Sequence, residues 1–211
     1  MNPKLEKILL KVQKPGRYVG GESNRVVKEK SQVDVRFAFC FPDVYEVGMS
    51  HLGMKILYGQ FNEMDGVWCE RVFAPWPDME ERMRENQIPL YGLESGDPIT
   101  DFDFIGFTLQ YELSYSNVLN MLELAGIPLY AKDRKGLGQI VVAGGPCACN
   151  CEPLADFLDL VFLGEGEEVD QEAIALYREY KRAGKTREEY LVAAAQIEGV
   201  YVPSLYQVAY H

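Results

Sequence analysis

Two short runs that are apolar at every position, Ile140 to Ala143 and Leu160 to Leu163, each stop at glycine. A strand without polar alternation is buried on both faces, the condition of a parallel sheet covered by helices. The stretch Gln139 to Val169, QIVVAGGPCACNCEPLADFLDLVFLGEGEEV, therefore reads as strand, glycine loop, short helix, strand, second glycine loop and helix start. Glycine lets the backbone pass close to a ligand. In open α/β sheets ligands settle at the carboxyl ends of the strands, so a site is expected where the loops 144–146 and 164–167 lie side by side.

The rest of the chain fits that frame. Leu5, Ile8, Leu9 and Val12 recur at helical spacing, predicting a helix over 3–13 as an appendage, and 17–32 is a polar connector with room for one edge strand. Strands are expected at 33–41, 67–74 and 102–109, and helices at 50–64, 78–86 and 114–125, with Ser50 as a helix cap. Helical patterns over 167–183 and 187–196 follow, split by Gly184, and 199–209 returns to strand character. Strands alternating with helices imply an open, mainly parallel sheet of about five strands, a three-layer flavodoxin-like or Rossmann-like α/β fold. The domain is bounded as 33–183, preceded by the helix and connector 1–32 and followed by the helix and strand 184–211.

The order of an apolar strand, Gly144-Gly145-Pro146, Glu152-Pro153, the acidic turn Asp156 to Asp159 and Gly164-Glu165-Gly166-Glu167 carries a resemblance. Together with Phe41-Pro42-Asp43 and Gly48-Met49-Ser50-His51-Leu52-Gly53, it resembles the cobalamin-binding-type domain that precedes many radical S-adenosylmethionine (SAM) enzymes, over roughly residues 33–200. The resemblance is nearest to an uncharacterised branch. It implies a corrinoid site, intact or degenerate, lined by Gly48, Ser50, His51, Gly53, Thr108, Gln110, Gly144, Gly145, Gly164 and Gly166. It also implies that the iron–sulfur cluster and S-adenosylmethionine belong to a further radical SAM domain of the same polypeptide, expected after a segment like Gly199-Val200-Tyr201-Val202-Pro203. On this reading the chain by itself is not catalytic.

The pattern departs from the ordinary fold in one respect. Cobalamin domains that supply a lower ligand to cobalt carry Asp-x-His-x-x-Gly, whereas Asp43 and His51 stand eight positions apart. A neutral imidazole is a capable metal ligand, but a lone His at a helix start is weak evidence for one. A corrinoid is therefore expected to bind without a protein lower ligand. Thr108, Gln110 and Tyr111 end a strand where hydroxyl and amide groups can bond a phosphate or an amide side arm. Glu165 and Glu167 count against a simple phosphate cradle. Two other readings stand beside the corrinoid: a docking or substrate-gating module without a cofactor, and a flavin or nucleotide binder, for which Phe41 to Glu46 makes a poor phosphate loop.

Cys147, Cys149 and Cys151 are spaced too closely for a structural zinc site, and the Cys-x3-Cys-x2-Cys of a radical SAM cluster is missing. Cys40 and Cys69 fall in strands, as reduced core thiols of a cytoplasmic protein would. A formal charge of −11 argues against general nucleic-acid binding, which needs clustered Lys and Arg. No apolar run is long enough to span a membrane.

Overall fold

The computed structural model describes residues 3–207. Its centre is a six-stranded sheet in the order β2-β1-β3-β4-β5-β6. The strands are β1 (Val35–Phe41), β2 (Val67–Phe73), β3 (Phe104–Thr108), β4 (Ile140–Gly144), β5 (Leu160–Phe162) and β6 (Val200–Tyr201). All neighbours pair in parallel except β5 and β6, which are antiparallel. The first five follow the flavodoxin-like order, and the sixth is the first part of the strand expected at 199–209. Positions 208 and 209 lie outside the described residues.

Helices cover both faces. On one face β1 presents Ala38 and Cys40, and α1 (Pro3–Leu9), α4 (Pro77–Asn86) and α5 (Tyr115–Ala125) bury Leu5, Met79, Met83, Val118 and Met121 against it. The first helix is thus part of this core, not an appendage. It also ends at Leu9, short of the expected 13. On the other face the alternation of β1 turns Val35, Phe37, Phe39 and Phe41 toward α3 (Leu52–Glu63), α6 (Gly166–Arg182) and α7 (Arg187–Ala194). This second layer buries Phe61, Ile174, Tyr177 and Tyr190.

The connector forms no strand. It is strapped to α3 and β2 instead: Lys28 Nζ donates to the carbonyls of Asn62 and Met64, at 2.7 and 3.3 Å, and Trp68 Nε1 donates to Val26 O at 3.0 Å. The helix expected at 50–64 is α3, and a short unexpected helix, α2 (Tyr45–Ser50), precedes it, with extended backbone at His51 between the two. Ser50 does not cap α3; its Oγ donates back to Glu46 O within α2 at 2.7 Å. The residue that caps α3 is His51.

Candidate functional site

A cavity of about 250 Å³ opens at the carboxyl ends of β3, β4 and β5, between the sheet and helices α3 and α6. Its walls are the rings of Phe37, Phe39, Phe61 and Phe162 with Leu57 and Val142. The floor owes its depth to a missing side chain. Gly106 sits in the middle of β3, where a Cβ would collide with the Phe37 ring and stand 3.2 Å from Val142 Cγ2. A lone glycine inside a strand marks such a close approach.

Both glycine loops reach this cavity. Gly144, Gly145, Pro146, Gly164, Gly166 and Glu167 line it, together with His51, Gly53, Thr108 and Gln110. Gly48 and Ser50 do not. Gly48 is buried in α2, its Cα backed against the rings of Phe73 and Phe41, and Ser50 faces solvent. Tyr111 is an exposed rim residue whose hydroxyl donates to Asp43 Oδ2 at 3.1 Å. Gly145 has a positive φ of 97°, and a Cβ there would stand 2.9 Å from Leu109 O and 3.1 Å from Leu109 N. Only glycine fits that backbone without strain.

His51 is tied at both ring nitrogens. The Met54 N–H donates to Nδ1 at 3.1 Å, which caps α3, so the ring proton resides on Nε2 and is donated to Gln110 Oε1 at 2.9 Å. Gln110 Nε2 in turn donates to Thr108 Oγ1 at 2.6 Å. The chain of bonds runs from the start of α3 across the mouth of the cavity to the end of β3. It leaves the imidazole no free lone pair for a metal.

One wall residue escaped the sequence reading. Asp170, on the first turns of α6, lines the cavity, is 6% exposed, and makes no hydrogen bond; its Oδ1 is buried without a partner. Burial, with the charge of Glu167 adding to it, pushes its carboxyl up to about 8. Asp170 Oδ2 lies 2.8 Å from where a Cβ on Gly166 would stand, so the glycine one turn earlier makes room for the carboxyl. The signal was available: Asp170 falls within the apolar stripe Val169, Ala173, Ile174 and Tyr177 of an otherwise polar helix.

Residues 53–203 match the family described as radical SAM proteins, N-terminal. The chain belongs to that family. An uncharacterised protein of Methanocaldococcus jannaschii is 29% identical over 150 residues, which is 70% of this chain and 28% of the relative. The chain thus spans under a third of the relative's length. No solved structure matches the chain.

In this radical SAM N-terminal domain the acidic turn before β5 has a structural task. Asp159 is buried between two arginines: Arg134 Nη2 lies 3.1 Å from Oδ2, Arg187 Nη2 also donates to it, and the Val141 N–H donates at 2.8 Å. Burial lowers the Arg134 pKa against the pull of Asp159. Together these groups pin β4, β5 and α7. The cysteine loop is a 3-10 turn, Pro146–Asn150, with Cys147 half-buried, Cys149 exposed and Cys151 buried just beyond it. Among the described residues no group of three or more His, Cys, Asp or Glu is placed to hold a metal ion. None of the described helices is long and apolar enough to cross a membrane.

Proposed function

We propose that this domain holds the nucleotide tail of a corrinoid in the cavity, leaves the macrocycle outside on the rim, and presents it to a radical SAM domain of the same polypeptide. The observation that carries the reading is the cavity itself, aromatic-walled and glycine-gated at the carboxyl ends of β3, β4 and β5. Size supports the division of the ligand. An apolar cavity of about 150 Å³ accommodates benzene, so about 250 Å³ suits a bicyclic ring and excludes a corrin. The fit is to the tail alone. A bound corrinoid would supply cobalt-centred alkyl or electron-transfer chemistry to the neighbouring domain.

The residues that would hold the tail are Phe37, Phe39, Phe61 and Phe162 around the ring, and Gly144, Gly145, Gly164 and Gly166 where its backbone passes the loops. Exposed apolar residues adjoin the lining positions: Leu52 beside Gly53, Leu163 beside Gly164, and Leu113 just past Gln110. They offer an apolar rim to a macrocycle or to a packed domain. His51 serves as a cap and not as a lower ligand. The flavin or nucleotide reading has less support, because no Lys or Arg lines the cavity while Glu167 does. The cofactor-free docking reading draws on the same exposed rim.

Titration with cobalamin and with cobinamide, which lacks the nucleotide tail, tests the proposal. Cobalamin should bind at least tenfold tighter, about 1.4 kcal/mol. Equal affinity, or no binding of either, would reject it; the second outcome favours the docking module.

A further inference from the structure

The cavity holds one group that the fold does not need. A carboxyl on the apolar stripe of α6, with Oδ1 sealed from solvent and no hydrogen bond made, works against folding wherever it sits. Other buried acids of the chain are paired: Asp159 with Arg134 and Arg187, Glu70 with Arg36, and Glu94 with Arg71. Asp170 alone among these has been left without a cation. It also lies on the wall of the phenylalanine-lined cavity, with Gly166 stripped of a side chain beside it.

We propose that Asp170 is the polar anchor of the cavity, and that the cavity takes a planar nitrogen heterocycle of bicyclic size whose ring nitrogen hydrogen-bonds the Asp170 carboxyl. The phenylalanine walls select a flat aromatic body, because ring faces stack and T-pack on one another. The carboxyl selects nitrogen in that body. A protonated acid donates to an imine nitrogen and accepts from a ring N–H, and the upward shift of the Asp170 carboxyl supplies the protonated form at neutral pH. The other ionisable groups on the wall are Glu167, which opposes ionisation of Asp170, and His51, which is already engaged with Met54 and Gln110. A site built to bond a heteroatom discriminates strongly against the analogue lacking it, because its own buried polar group is then left unpaired. In naming the ring as the end of a corrinoid tail the inference rests on the reading above; in naming the anchor it stands on Asp170.

The test uses the 211-residue chain and two small probes, 5,6-dimethylbenzimidazole and its carbocyclic counterpart 5,6-dimethylindene, with binding followed by ligand-observed NMR and the Asp170 carboxyl by carbon-detected NMR of the isotope-labelled chain. The unmutated chain should prefer the benzimidazole at least tenfold, and the carboxyl carbon signal of Asp170 should move with that probe alone. Asp170→Leu should bind both rings within about twofold of each other, while Asp170→Asn, whose amide still donates, should keep part of the preference. Equal affinity of the unmutated chain for the two rings, binding of neither, or a preference that survives in Asp170→Leu would each overturn the proposal. The first of these needs no variant to fold. Cobalamin and cobinamide separate the two levels. Tail-dependent cobalamin binding that Asp170→Leu leaves unchanged keeps the corrinoid reading and sinks the anchor. An Asp170-dependent ring preference in a chain that binds cobalamin and cobinamide alike does the reverse.

Discussion

Replacing Asp170 by asparagine should stabilise the chain, and the gain should grow with pH. In the unfolded chain the carboxyl titrates near its ordinary 3.8, and in the folded chain burial raises it to about 8. Between those values the folded state carries a proton that the unfolded state has released, so stability is full at low pH and falls as pH rises through the window. Each pH unit costs about 1.4 kcal/mol, and from 3.8 to neutral pH the sum is about 4 kcal/mol as an upper limit. The amide that Asp170→Asn introduces is equally buried, but its desolvation does not vary with pH and shifts the comparison only by a constant. Urea unfolding of both chains at several pH values between about pH 5 and pH 8 isolates the titration, because every other ionisable group cancels in the difference. The variant's advantage should widen with pH and level off above about pH 8. A difference that is flat or narrows across that range would refute the burial argument.

Four other substitutions probe the frame around the cavity. Asp159→Ala strands Arg134 and Arg187 without their counter-ion and should cost about 3–5 kcal/mol in urea unfolding, because an uncompensated buried charge is left behind. Gly145→Ala should destabilise by ~1 kcal/mol or more through its positive φ and the approach to Leu109 O, while Gly144→Ala, whose Cβ would meet Phe162 Cβ at 3.8 Å, should change thermal stability little. His51→Ala removes the cap of α3 and should cost about 1 kcal/mol, and it should leave the visible spectrum of any bound cobalamin unaltered.

The sheet was legible because its signals are local. Apolar runs ending in glycine and helices with one apolar stripe identify β1 to β5 and the helices between them, and a flavodoxin-like order follows from their alternation. The short helix α2 was not legible, since the apolar positions read for 50–64, Leu52, Ile56, Leu57, Phe61 and Met64, all lie beyond His51, whose extended backbone separates the two helices. The partners of His51 and Asp159 lie far away in sequence, Gln110 for the one, Arg134 and Arg187 for the other, and no spacing rule reaches them. Gly106 and Asp170 are different cases. Each breaks a local pattern, a glycine inside a strand and an acid on an apolar stripe, and each marks the cavity. The loop glycines drew attention by number, although Gly48 answers only to packing on Phe73 and Phe41.

His51 is committed within the fold at both ring nitrogens. To become a ligand its Nε2 would have to give up the proton donated to Gln110, and the tautomer that frees Nε2 places a proton on Nδ1, where the Met54 N–H now points. The lost cap and the lost bond together cost about 2 kcal/mol, which a metal–imidazole bond could outweigh. In place, Nε2 is directed along the mouth of the cavity toward Gln110 at the end of β3. The same bonds have a use in place. Through Gln110 and Thr108 they tie the start of α3 to the end of β3, and Thr108 Oγ1 lies 3.1 Å from where a Cβ on Gly145 would stand.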